Sequence, residues 1–177
     1  MKIKPSNNEL LEKIMRLELE AEHYKKQQVF LNSIYQNVDS AIFVIDIEEG
    51  GVFRYSENNN VHQKSLGILS ESFIGKTPDD LAPFVPGEII NEVKQNYKRC
   101  LDKGKTIEYE EKIIINNQEI WAITRLIPLK NKAGQIYRII GVSNEISERK
   151  EAECALKESE KRYRELFINS KSGIANL

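Results

Sequence analysis

Four side chains in this sequence are of the types that most often supply nucleophiles, general bases or metal ligands: His23, His62, Cys100 and Cys154. The two cysteines lack the spacing of a metal site or of a disulfide framework. A phosphoacceptor histidine on a dimerising helix would be followed by an acidic residue, whereas His23 is followed by a tyrosine and His62 by a glutamine. We therefore expect solvated histidines, a small core cysteine at Cys100, and a chain that is not an enzyme.

The composition is that of one folded domain with helical extensions. The chain has 177 residues, of which 40% are hydrophobic and 30% charged, and its formal net charge is −1. This balance gives no general attraction to nucleic acid or to anionic lipid. The sequence contains no run of about 18 apolar residues and no signal-peptide core, so we expect no membrane segment. Unpaired cysteines favour the reducing cytoplasm.

The order of local signals predicts an α+β fold. Branched and aromatic residues indicate strands at Ala41–Ile47, 52–55, 120–129 and 135–146, and Asn116-Asn117 separates a fifth strand from the one at 120–129. Helix signals lie between them: an asparagine cap at 58–60, a start at Thr77-Pro78, and a helix from Gly87 to Lys103 that Gly104 ends. Strands, then helices, then strands predict a five-stranded antiparallel sheet with helices on one side.

The N-terminal segment carries a heptad pattern of about four repeats, which is typical of a coiled coil. Its apolar positions are Leu10, Ile14, Leu17, Ala21, Tyr24, Leu31, Tyr35 and Val38. We predict a coiled-coil helix over residues 1–37 that pairs the chain as a homodimer. The alternative is a single amphipathic helix that lies along its own domain.

A second heptad pattern follows the last strand and predicts a linker helix over residues 148–167. Beyond it, Phe167–Ile174 echoes Tyr35–Ile42 one domain length later. Such a repeat predicts that residues 168–177 are the truncated start of a second domain of the same kind.

The sequence resembles the PAS family in its motifs and their order. The matching segments are Trp121, Pro128-Leu129 with Gly134, 53–55, 59–67, 73–77 with 80–81, and 144–150. The last of these corresponds to the family's Asp-Ile-Thr-Glu-Arg-Lys ending, with Asn144 and Ser147 in place of Asp and Thr and with Glu145 as an extra residue. The resemblance implies a PAS domain with its PAC segment over residues 38–147. We expect Asn144 to fix the angle at which the C-terminal helix leaves, and Ser147 to cap that helix.

The resemblance also implies a ligand cavity between the sheet and the helices. Its expected wall consists of Val44, Tyr55, Phe73, Leu81, Phe84, Val93, Tyr97, Trp121 and Ile123, each of which could equally be plain core. Arg125 either faces solvent or points inward to bind an anionic group. The cofactor is unknown. Reactive-cysteine flavin and His-ligated haem are disfavoured, because 73–83 lacks a cysteine and 88–103 lacks a histidine.

These observations predict a sensory or relay module of a cytoplasmic bacterial signalling protein, such as a sensor histidine kinase of a two-component system or a diguanylate cyclase. It would sense a small molecule, dimerise through its flanking helices and act on a downstream domain of the parent chain. The alternative is a ligand-free dimerisation spacer between signalling domains. A filled core without a cavity would favour this alternative.

Overall fold

The computed structural model describes residues 7–66, 70–83, 85–115 and 118–174. Five α-helices lie in this part of the chain: α1 (Asn7–Asn37), α2 (Asn60–Leu66), α3 (Ser70–Phe73), α4 (Gly87–Lys103) and α5 (Ser147–Ile174). The strands are β1 (Ala41–Ile47), β2 (Phe53–Asn58), β3 (Ile107–Ile115), β4 (Gln118–Lys130) and β5 (Ile136–Glu145).

The five strands form one antiparallel sheet in the order β2-β1-β5-β4-β3. The first and last strands of the domain are therefore neighbours at the centre. The sheet, its helices and the long N-terminal helix confirm the fold class predicted from the sequence.

The core lies between the helices and one face of the sheet, which we call the inner face. Ile45, Leu126 and Ile139 point to this face and are fully buried. They pack with Tyr97 and Cys100 of α4, and the Cys100 thiol lies 3.7 Å from the Leu126 carbonyl oxygen. Cys100 is thus the small core residue that the sequence predicted.

A glycine allows one aromatic ring to lie flat on the inner face. Gly141 of β5 pairs with Phe43 of β1, and a methyl group at Gly141 would overlap the Phe43 ring. The missing side chain is therefore what lets the ring cross onto the neighbouring strand.

The helix termini largely follow the sequence signals. Gly104 ends α4 with φ 59°, a left-handed conformation that glycine adopts readily. Thr77 and Asp80 form a reciprocal capping box, but only a short 3₁₀ turn, Asp79–Leu81, follows it. Pro83 and Pro86 lack the N–H donors that a longer helix would need.

Most of helix α1 is exposed to solvent. Residues 7–34 of α1 are exposed, including Leu17 and Leu31, so this helix does not lie along its own domain. The alternative interpretation of α1 is therefore wrong, whereas pairing as a coiled coil stays a prediction. Helix α5 continues past Phe167 to Ile174. The second-domain start at residues 168–177 also stays a prediction.

Candidate functional site

A cavity of about 480 Å³ lies between the inner face of the sheet and helices α2, α3 and α4. This is within the size range of pockets that hold small ligands, roughly 300–1,000 Å³. All five strands contribute to its wall, as do the three helices.

One end of the cavity is aromatic. The His62 ring lies between the rings of Phe43 and Phe73, with centroids 4.9 and 5.0 Å away. Tyr55 stacks on Phe73 at 4.0 Å, and its hydroxyl lies 2.9 Å from that of Tyr97. Burial raises the pKa of Tyr55 to about 12 and that of Tyr97 well above its usual value. Both phenols are neutral at pH 7, so this end offers flat apolar faces and one hydroxyl pair.

His62 is buried, which corrects the expectation that it is a solvated helical residue. It is 7% exposed, and burial lowers its pKa to about 4, so the ring is neutral at pH 7. Asn59 caps α2 by accepting a hydrogen bond from the His62 N–H at 3.0 Å. This cap fixes the phase of a seven-residue helix, and that phase turns His62 toward the sheet.

The inner face of β3, β4 and β5 supplies a polar row beside the aromatic end. Thr124 is fully buried, donates a hydrogen bond from its hydroxyl to Glu111 Oε1, and lies 2.9 Å from the Ser143 hydroxyl. Burial raises the pKa of Glu111, and the Thr124 hydrogen bond offsets this only in part. Glu145 and Asp39 also line the cavity.

A sequence model of the PAS fold matches residues 35–151 of this chain. The chain belongs to the PAS family. As a PAS domain, it is a module of the sensory kind.

Solved structures share the fold at low sequence identity. The PAS domain of BvgS from Bordetella pertussis has a TM-score of 0.57 and 19% identity, covering 77% of this chain and 98% of that domain. An RNA-binding light-oxygen-voltage receptor has a TM-score of 0.61 and 16% identity, and the match covers 76% of this chain but only 37% of the receptor. VqmA of Vibrio cholerae bound to DPO has a TM-score of 0.57 and 14% identity, covering 67% and 57% of the two chains. A search of curated proteins finds no significant match.

Five of the ten candidate residues predicted for the PAS cavity line it. The structure brings together Tyr55, Phe73, Leu81, Val93 and Tyr97 around the cavity. Phe84 lies outside the described residues.

Val44, Trp121, Ile123 and Arg125 lie on the outer face of the PAS sheet, not in the cavity. On β4 it is Ile120, Ala122 and Thr124 that line the cavity, so the side assigned to this strand from the sequence is wrong. Arg125 is exposed and pairs with Glu108 at 2.6 Å, which decides its two alternatives in favour of solvent. Ala122 and Thr124, at the centre of this side of β4, are small, and larger residues there would fill the space.

The sequence interpretation missed every acidic, histidine, serine and threonine side chain of the wall: Asp39, His62, Ser65, Glu111, Thr124, Ser143 and Glu145. Successive side chains of a strand point to opposite faces of the sheet. This alternation along β3, β4 and β5 could have placed Glu111, Thr124 and Ser143 on one face, once the residues of one strand that face the cavity were known. No local signal could have placed His62.

Asn59 joins helix α1 to the PAS core, at what we call the α1 junction. Its side-chain oxygen accepts hydrogen bonds from the N–H groups of Ile42 and His62 at 2.9 and 3.0 Å. Its amide donates to the carbonyls of Tyr35 and Ser40 at 3.1 and 2.9 Å. Asn59 is fully buried, and all four hydrogen-bonding positions of its side chain are satisfied.

Trp121 holds the start of α5, at what we call the α5 junction. Its N–H donates to the Ser147 hydroxyl at 3.1 Å, and its carbonyl accepts from the Ile146 N–H at 2.7 Å. The Lys150 ammonium lies 5.2 Å from the centre of the Trp121 ring and pairs with Glu110. Ser147 therefore accepts a bond from β4 where a cap of α5 was expected.

Asn144 connects the two junctions. Its side-chain oxygen accepts a 2.6 Å hydrogen bond from the Ser40 hydroxyl, which lies just before β1. The residue thus links the last strand to the segment that leaves α1.

Two further findings concern the described residues alone. No group of three or more His, Cys, Asp or Glu side chains is placed to hold a metal ion within them. Among their helices, none is long and apolar enough to cross a membrane.

Proposed function

We propose that this PAS domain is a sensory or relay module of a cytoplasmic bacterial signalling protein. It holds a small molecule noncovalently in its cavity and passes the change in occupancy through its flanking helices to a downstream domain. The observation that carries the proposal is the cavity of about 480 Å³ with an aromatic end and a polar row. A ligand-free spacer would gain stability by filling this space, since cavities destabilise a core.

The path to the output helix is short. Ala122 lies in the cavity wall, and its neighbour on β4 is Trp121, which holds the start of α5 through both of its backbone groups. A ligand that shifts β4 therefore shifts the hydrogen bonds that set the direction of α5. Two arrangements of this junction would be the two states that the ligand biases.

The proposed ligand is held by packing and hydrogen bonds. No cysteine is among the described wall residues, so a flavin adduct has no nucleophile there. Helix α4 carries no histidine, and the ring of His62 is packed between two aromatic rings as part of the wall. The structure of VqmA bound to DPO has the same fold, which supports a bound molecule in this architecture.

The proposed assembly is a homodimer. Leu10, Ile14, Leu17 and Leu31 on the heptad positions of α1 are each at least 43% exposed, and Leu156 and Tyr163 on α5 are also exposed. A second copy of the chain would cover both stripes by coiled-coil pairing.

Native mass spectrometry of the purified protein tests the ligand. We expect one small molecule per protomer to be retained in the wild type and to be lost in Ala122→Leu, which places three more carbons on the cavity floor. Ala133→Leu, at an exposed position of the turn between β4 and β5, is the matched control and should retain the ligand. If no mass is retained, and no compound of a small-molecule library raises the melting temperature, the spacer function replaces this proposal.

A further inference from the structure

The polar row of the cavity presents acceptors and no free protons. The hydroxyl of Thr124 has a single proton, which it donates to Glu111. The contact of 2.9 Å between Thr124 and Ser143 must then use the proton of Ser143. Both hydroxyl protons are engaged, so only lone pairs of Glu111 and Ser143 are left for a ligand.

Ala122 forms a small floor between two carboxylates. It pairs with Glu111 of β3 on one side and with Glu145 of β5 on the other, and all three residues line the cavity. Adjacent strands lie about 4.8 Å apart, so a head group above Ala122 would be within reach of both carboxylates. Asp39 adds a third acid to the wall.

No positive charge balances these groups inside the cavity. None of the described residues of the wall is Lys or Arg, and the one histidine there, His62, is neutral at pH 7. A ligand carboxylate or phosphate would be desolvated beside lone pairs and carboxylates with no positive charge to pair with it, which is strongly unfavourable.

We infer that the cavity takes a ligand with an N–H donor head, of the amine or amidine class, above Ala122 and between Glu111 and Glu145. The body of this ligand is aromatic and packs against Phe43 and Phe73. The same arrangement rejects molecules that carry a carboxylate or a phosphate. This inference rests on the proposed function and specifies its ligand class.

Three compounds with one aromatic body and different head groups test the inference: tryptamine, tryptophol and indole-3-acetate. Their affinities for the purified full chain are measured by calorimetry at pH 7. We expect tryptamine to bind tightest, tryptophol next, and indole-3-acetate about tenfold or more weaker than tryptamine. Charge-assisted hydrogen bonds to a carboxylate are of this strength.

Glu111→Gln is the variant that isolates the head-group contact, because it keeps the shape of the side chain and removes the charge. We expect the preference for tryptamine over indole-3-acetate to fall to about threefold or less. Glu108→Gln is the matched control, since Glu108 lies on the same strand, is exposed and pairs with Arg125. It should leave the preference unchanged.

The outcomes separate the inference from the proposed function. If indole-3-acetate binds as well as tryptamine, the cavity is a ligand site of another class, and the inference is wrong while the proposed function stands. If none of the three compounds binds at millimolar concentration, the inference is wrong, and the native mass spectrometry described above decides separately whether the proposed function stands. If Glu111→Gln does not fold, the order of affinities in the wild type decides alone.

Discussion

Asn59 offers a sharp test of how the PAS core holds its N-terminal helix. Asn59→Ala removes four hydrogen bonds at once, to Ile42, His62, Tyr35 and Ser40. A typical hydrogen bond contributes about 1 kcal/mol net, and a buried group left without a partner costs about 1–3 kcal/mol. Water can replace some partners at the partly exposed Tyr35 and Ser40. We therefore expect a loss of about 3–4 kcal/mol in the free energy of unfolding.

The chain has one tryptophan, so urea unfolding followed by Trp121 fluorescence gives this free energy directly. Asn60→Ala is the matched control, because Asn60 is exposed and bonds to Gln36 only through its backbone N–H. Its loss should stay within about 0.5 kcal/mol. Asn59→Asp should lose at least as much as Asn59→Ala, since it turns a carboxylate oxygen toward the carbonyls of Tyr35 and Ser40. A loss below about 1 kcal/mol in Asn59→Ala would refute the view that these bonds hold α1.

Four further predictions concern the assembly, the two junctions and the cavity. The double substitution Leu17→Asp and Leu31→Asp should convert a dimer at tens of micromolar to a monomer in sedimentation, because it buries charges in the coiled-coil seam of α1. A monomeric wild type would contradict the coiled coil. Trp121→Ala should cost about 1–3 kcal/mol, less than for a fully buried ring, and should raise hydrogen exchange in the first turns of α5; unchanged exchange there would show that the ring does not hold the helix. Asn144→Ala should cost about 1 kcal/mol or less but broaden the spin-label distance between α1 and α5, whereas an unaltered distance would remove Asn144 from the coupling. The folded state prefers the neutral ring of His62, whose pKa is about 4 when folded and 6.5 when unfolded. The stability that this residue contributes is therefore fully present above pH 6.5 and falls by up to roughly 3 kcal/mol as the pH drops toward 4. His62→Phe should lose this part of the pH dependence of the free energy of unfolding, and an unchanged acid profile would show that His62 is not its source.

The sequence predicts the helices and strands well where the signals are local. The bounds of β1 and of α4 agree with the predicted ones, because a continuous apolar run defines the first and a glycine in the left-handed conformation ends the second. The sheet follows from the order of these elements. Such signals act within a few residues and need no knowledge of the partner surface.

The side of β4 could not be predicted in the same way, because both of its faces carry apolar residues. The rule that large apolar residues face the core assigns Trp121 and Ile123 to the cavity. The structure instead places Ala122 and Thr124 there, and the space they leave is the cavity itself. A cavity over a sheet is thus marked by small residues on the inner face.

His62 was missed for a different physical reason. The phase of α2 depends on the Asn59 cap, and the remaining bonds of Asn59 reach residues 17, 19 and 24 positions away in the chain. No window on the local sequence contains these partners. The buried position of His62 is therefore a product of tertiary contacts.

The two flanking helices of this PAS domain meet the cavity at the same place. Asp39 follows the end of α1 by two residues, and Glu145 precedes the start of α5 by two, and both line the cavity. Ala41 pairs with Ser143 between them, and the bond from Ser40 to Asn144 lies beside this pair. A ligand of the proposed kind that drew Glu145 or Asp39 inward would therefore act on α1 and α5 together. In the proposed dimer, one bound molecule per protomer would then act on all four helices, in addition to the route through β4.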